Sequence, residues 1–254
     1  MWLTSFALAQ TSSKASGQGV AVKAASATPI SKDPIGDADR LFSRGDAPNQ
    51  DQQALVILES ALATNGKNYD LLWRAARAAY YIGDFGPKEE KLKHYEKGIA
   101  LSQRAIKAQP NSVEGHFWLA ASYGGKAQTV SDKSQLLGDL KALSMIKKIR
   151  AGMQTVVKLN DAYENGNAYL ALGEIDRELP GVMGGNKKRA ITQYEQGLKV
   201  APENLDLKVA LSKAYKDAGR KDDARRLLEE VIKATPTTRI QREAQDEAKQ
   251  LLSK

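Results

Sequence analysis

A chain of 254 residues with 42% apolar and 27% charged side chains has the balance of an ordinary folded domain, which excludes a fibrous or wholly disordered molecule. Zero cysteines exclude disulfides, thiolate metal sites, a cysteine nucleophile and a lipidated cysteine. The formal charge of +8 raises nucleic acid as a partner, but acids such as Asp222, Asp223, Glu229 and Glu230 break up the basic runs Lys147-Lys148-Ile149-Arg150, Lys187-Lys188-Arg189 and Arg220-Lys221. No aromatic interleaving of the kind that stacks bases accompanies them, so nucleic-acid binding is not expected.

Met1 to Leu8 is a short, mostly apolar run closing in Ala7-Leu8-Ala9, the A-x-A form of a signal-peptidase site. No basic segment precedes it, so residues 1–9 read as the remnant of a signal peptide. That gives a periplasmic or secreted protein, with the cytoplasm as the alternative if the leader is a chance run. Residues 10–36, rich in Ser, Ala, Thr, Gly and Lys with Pro29 and Pro34, have no helical period and read as a linker. No later apolar run approaches the roughly 20 residues needed to span a bilayer, so stable membrane insertion is not expected.

From residue 37 onward the pattern is helical, and alternating strand-type runs are nearly absent. A short helix around Ala38 to Phe42 and a loop with Gly45, Pro48 and Asn49 lead to a second helix carrying Ala54, Leu58, Ala61 and Leu62. Leu72, Ala75, Ala76, Ala79, Gly83 and Phe85 mark the next first helix; its partner, with Ala105, Ile106 and Pro110, comes about ten residues late. The charged segment from Pro87 to Lys97 accounts for the delay, as extra helix or an inserted turn. His116, Leu119, Ala120 and Tyr123 open a third pair, followed by a long stretch to Asn160 in which Leu136, Leu137, Leu140, Leu143, Ile146, Ile149 and Val156 predict one or two lengthened helices. A fourth first helix, about Ala162 to Glu178, passes through Leu179-Pro180-Gly181-Val182-Met183-Gly184-Gly185 into a helix containing Ala190, Tyr194 and Leu198.

The last pair is the most regular. Pro202 and Pro236 stand 34 residues apart, and Ala190 with Ala224, Tyr194 with Leu228, and Leu198 with Ile232 keep the same spacing. Leu207, Leu211, Ala214 and Tyr215 form one apolar stripe; Leu227, Leu228, Val231 and Ile232 form another. Gly219 suits the left-handed end of the first helix, Ala224 a close crossing, and Pro236 a stop. Lys208 stands where a large apolar residue is usual, with Leu207 beside it to fill the space. Residues 239–254, with Ile240, Ala244, Ala248 and Leu251 on one side, read as a cap.

These positions identify the chain as a member of the tetratricopeptide repeat (TPR) proteins. The expected fold is all-α, a right-handed α-solenoid of helical hairpins with lengthened central helices and a C-terminal capping helix. Its repeats fall at about 37–68, 69–110, 111–160, 161–204 and 205–238. Within that class, the run Tyr69 to Arg77 and the run Asn111 to Ala120, followed by the long insertion, resemble two groups: the periplasmic T-component of TRAP transporters and the regulator-of-microtubule-dynamics family. The Leu179 to Gly185 loop looks more like the former, which is typically lipid-anchored, whereas this chain has no cysteine to modify.

Catalysis is not expected, and no cofactor or metal is implied. The two histidines lack a nucleophile at family spacing: His116 holds a core position of its repeat, and His94 sits in a charged helical run. Adjacent acids such as Glu89 and Glu90 point about 100° apart. What a TPR solenoid offers is the concave face of its first helices. The repeat offsets select Trp73, Arg77, Tyr80, Tyr81, Phe117, Ala121, Val209, Lys213, Lys216 and Asp217 there, with Trp118 beside them. Exposed aromatics near Arg and Lys suit an extended protein or peptide with an acidic end. The alternative, implied by the T-component resemblance, is an amphipathic small molecule in a cavity lined by Trp73, Tyr80, Phe117 and Trp118. A further reading packs Trp73, Tyr80 and Tyr81 against the Pro87 to Lys97 segment.

Overall fold

The computed structural model describes residues 31–43, 49–131 and 135–253. The leader and most of the linker, Gly45 and Pro48, and the side chains of Leu136, Leu137 and Leu140 lie outside what is described. Among the described residues the regular structure is helical: α1 (Pro34–Ser43), α2 (Gln50–Thr64), α3 (Tyr69–Phe85), α4 (Lys91–Ala108), α5 (Val113–Ser131), α6 (Gln135–Asn160), α7 (Asn167–Glu178), α8 (Lys187–Val200), α9 (Leu205–Asp217), α10 (Lys221–Lys233) and α11 (Arg239–Leu252). Successive helices pair as hairpins, and each hairpin packs on the next, with α11 against both α9 and α10. This is an α-solenoid, built because no hairpin can bury its apolar stripe alone.

Local sequence starts the helices. Asn68, Asn186 and Asn204 each accept a hydrogen bond at 3.0 Å from the backbone N–H three residues on, capping α3, α8 and α9. Thr238 and Gln241 make a reciprocal capping box on α11. Gly219, at φ 80°, supplies the left-handed turn after α9.

Burial forms three clusters along the superhelix. The first and largest runs from Ala38 to Leu179, the second joins Leu170, Tyr194, Leu207, Leu211 and Ala224, and the third joins Leu205, Val209, Leu228 and Val231 to Ala244 and Ala248 of the cap. Leu207 is fully buried and fills the space beside Lys208, whose amine turns outward to Glu230 at 3.0 Å. The late partner of α3 results from both a turn and added helix: α3 ends at Phe85, and α4 begins at Lys91 with 18 residues. The 26-residue α6 takes up much of the second insertion.

Two local expectations change. The fourth first helix begins at Asn167 rather than Ala162, because Glu164, Asn165 and Gly166 adopt left-handed backbone at φ 49°, 54° and 72° and break the helical path. His116 is only partly buried; its Nε2 lies 2.7 Å from the Pro110 carbonyl oxygen, so the ring serves the preceding turn and leaves the core to Phe117 and Trp118. His94, which the sequence places in a charged helical run, is buried, because the residues at this end of α4 pack inward with Tyr95.

Candidate interaction surface

Six of the eleven residues selected from sequence, Trp73, Arg77, Tyr80, Tyr81, Phe117 and Trp118, meet in one place. Tyr80 and Tyr81 of α3 each place a ring 5.6 Å from Trp118 of α5, and Phe117 stands edge-on to Trp118 at 5.0 Å. Tyr163 continues the cluster at 5.3 Å from Phe117 and accepts a hydrogen bond from the Trp118 indole at 3.1 Å. Tyr95, in the second turn of α4, closes the other side at 6.0 Å from Tyr80. Trp118 is 1% exposed, and Trp73, Tyr80 and Phe117 are buried too. These rings therefore support the wall from inside, and Tyr81 with Arg77 forms its accessible part.

Arg77 is the centre of the charge pattern. Its guanidinium stacks on Phe42 at 3.7 Å and donates to Asp39 of α1 at 2.9 Å, while Arg74 donates to both oxygens of the same carboxylate at 3.1 and 3.0 Å. Partial burial of Asp39 acts to raise its pKa, but the hydrogen bonds and charge of Arg74 and then Arg77 outweigh it and hold the carboxyl below its ordinary range. On its other side Arg77 faces Asp51 and Glu164. Burial pushes Asp51 up to about 6 against the pull of Arg77, and burial raises Glu164 against the same cation and a hydrogen bond from Tyr163. Among the described residues Asp51 Oδ1 and Arg77 Nε are buried without a hydrogen-bond partner.

The far end of the wall is also carboxylate-rich. Asp84, at the end of α3, is lifted by burial to about 6, with Lys91 and Tyr95 opposing; Glu243 of α11 raises it further and Arg239 lowers it. Arg239 itself lies over the Phe85 ring at 4.8 Å, so the first turn of the cap reaches back to the second hairpin. Lys213 and Lys216 lie apart from the aromatic cluster, on α9. Lys213 pairs with Glu247 of the cap at 2.6 Å, and Lys216 is exposed. Of the other offsets, Ala121 and Val209 are buried and Asp217 lies 3.8 Å from Arg177.

Sequence reasoning missed Asp39, Asp51, Glu164, Asp84 and Asp206. Asp39 and Asp206 lie on first helices; Asp206 sits one turn before the offset at 209. Glu164 had no repeat position to mark it, because the left-handed turn that carries it departs from the repeat.

Among the described residues no group of three or more His, Asp or Glu is arranged to hold a metal, and no helix is long and apolar enough to cross a membrane. Stacked helical hairpins make the described residues an α-solenoid, and residues 185–254 match a tetratricopeptide repeat model. Residues 35–160 match the model for regulator of microtubule dynamics protein 1-3. In structure the chain is similar to a thermophilic TPR protein of Thermus thermophilus, with a TM-score of 0.61 at 16% identity over 86% of this chain and 98% of that one. It is also similar to human IFIT1, solved as a dimer with m7Gppp-AAAA, with a TM-score of 0.50 at 13% identity over 87% of this chain and 62% of that one. YrrB, described as a TPR protein with an unusual peptide-binding site, gives a TM-score of 0.46 at 17% identity over 84% of this chain and 90% of that one. At these identities the first two likenesses establish a shared fold alone. No curated protein matches the chain at a significant level.

Proposed function

We propose that the protein is a non-catalytic scaffold that holds an extended segment of a protein partner along its concave side, centred on Arg77. The observation that carries this reading is that Arg77 and Asp51 stay only partly buried beside a wall whose rings are already locked against one another. An extended backbone offers both a carbonyl for the Arg77 guanidinium and an N–H for the Asp51 carboxylate. Asp51 and Glu164 beside that cation, and Asp84 at the far end of the wall, disfavour an acidic segment, and the Lys213 to Glu247 pair leaves Lys216 as the exposed cation of α9's offsets. A neutral or basic segment therefore fits better than the acidic one that the offsets alone favoured. The small-molecule alternative lacks support, because Trp73, Tyr80, Phe117 and Trp118 fill the space between them with their own rings. Export rests on the Ala7-Leu8-Ala9 start alone.

Affinity capture with the wild-type chain, Arg77→Met and Asp51→Asn tests the site. Both variants are expected to lose the same partner while circular dichroism shows intact helix. An unchanged partner set with either variant would mean that the segment binds elsewhere.

A further inference from the structure

The loop before α8 has no part in the wall described above, yet it is built with unusual care. Asp176, 0% exposed at the end of α7, takes Arg150 of α6 at 2.6 Å and Arg189 of α8 at 2.5 and 2.6 Å. The same two guanidiniums donate onward to the Gly184 carbonyl at 3.3 and 2.8 Å, and the Asn186 N–H donates to the Asp176 carbonyl at 2.7 Å. Backbone bonds from Met183 and Gly185 to the Pro180 carbonyl close the turn. The loop is thus clamped at its base from three helices. What the clamp holds out is apolar: Val182 is 95% exposed and Met183 49%, and a Cβ added at Gly181 or Gly184 would meet nothing within 4 Å.

Exposed lysines lie on two of the helices that clamp this loop, α6 and α8. Lys187 and Lys188 follow it directly and make no ion pair among the described residues; Lys147, one turn before the clamping Arg150, is exposed on the same side of α6. The nearest acids are consumed, Asp176 by the clamp and Glu178 by Arg177.

We propose that this loop is a docking point for an anionic lipid surface, with Val182 and Met183 entering the interface and Lys147, Lys187 and Lys188 meeting the headgroups. Two apolar side chains flanked by glycines are too little for a protein interface, which needs about 800 Å² from each partner. They are enough to anchor reversibly when lysines add attraction to negative headgroups, each worth roughly fivefold in affinity. The clamp serves this role, since a stiff tip loses little freedom on entering the bilayer. The surface is separate from the Arg77 wall, so the two sites stand or fall independently.

Vesicle flotation with the full chain tests the assignment, comparing phosphatidylcholine alone with phosphatidylcholine containing phosphatidylserine. The wild type is expected to float with the anionic vesicles only. The double variant Val182→Asp/Met183→Asp should lose that binding, and Lys187→Ala/Lys188→Ala should weaken it on the order of twenty-fold. Both pairs are exposed, so helix content should be unchanged. Equal flotation with neutral vesicles, no flotation of the wild type, or undiminished binding by either variant overturns the proposal. If light scattering instead shows a wild-type dimer that the aspartate variant abolishes, without vesicle binding, the tip belongs to a second copy and the lipid assignment is wrong.

Discussion

Asp206 shows how a single carboxylate can report the packing of the cap. Burial raises its pKa to about 7, Glu247 and Glu243 of α11 add to the rise, and Lys213 opposes it; Oδ1 has no hydrogen-bond partner among the described residues. A carboxyl with a folded pKa above its unfolded value contributes stability that is fully present below about pH 4 and is lost as pH rises through about 7. Asp206→Asn removes the ionisation. Because the residue keeps some solvent contact, the expected gain is only about 1–2 kcal/mol above pH 7, shrinking toward zero near pH 4. Urea midpoints across that range measure it, and a gain that grew toward acid would show that Asp206 is stabilised as the anion. Asp176 is the opposite case, since its charge is met by two guanidiniums. Asp176→Ala would leave both on the Gly184 carbonyl alone, and because the guanidiniums keep solvent contact, thermal melts should show a loss of about 1–3 kcal/mol. Neither residue announced itself in the sequence. The burial of Asp176 depends on Arg150, which reaches it from the inserted α6, and the shift at Asp206 depends on acids more than thirty positions away in the cap.

At the scale of the element, the repeat positions were legible wherever one hairpin obeys the rule. The stripes Leu207–Leu211–Tyr215 and Leu228–Val231 lie in the core clusters as their spacing required, because helical periodicity alone decides which face is apolar. Legibility failed at the joints. Glu164 and Asn165 take left-handed backbone without being glycine, and no local signal reveals a conformation imposed by packing. The aromatic offsets were found, but spacing could not say that Tyr163 would close on Trp118 and Tyr95 on Tyr80 and turn a lining into an interior. The cap was readable as a polar helix with one apolar side. What it caps was not: Gln245 Nε2 donates to the Ile232 and Ala234 carbonyls at 2.7 and 2.9 Å, ending α10 with a side chain from α11. Docking of α11 thus depends on where it starts, which the Thr238 box sets. Thr238→Ala should cost about 1 kcal/mol, with raised amide exchange in α11 and at the end of α10. Confinement of the change to the first turn of α11 would show that the cap docks independently of its box.

Over the whole molecule, stability should grade along the superhelix. The first core cluster spans α1 to α7, whereas the last two hairpins and the cap hold smaller clusters joined to it through α7. In a solenoid each repeat gains stability from its neighbours, so a thin junction permits the end to open before the rest. The contact of Arg239 over Phe85 opposes that separation at the cap, but an exposed cation–π pair contributes only about 0.5–1 kcal/mol. Leu228→Ala removes far more, about 2–5 kcal/mol, from the cluster that holds α9, α10 and α11 together. The tryptophans allow the two ends to be watched separately. Trp73 and Trp118 both lie in the first cluster, and Trp2→Phe removes the third indole of the chain. In that background Leu228→Ala should lower the urea midpoint of the circular-dichroism transition while the indole fluorescence midpoint moves much less. Equal shifts of the two midpoints would mean that the contact of Arg239 with Phe85 binds the ends into one cooperative unit, and that the solenoid behaves as a closed body.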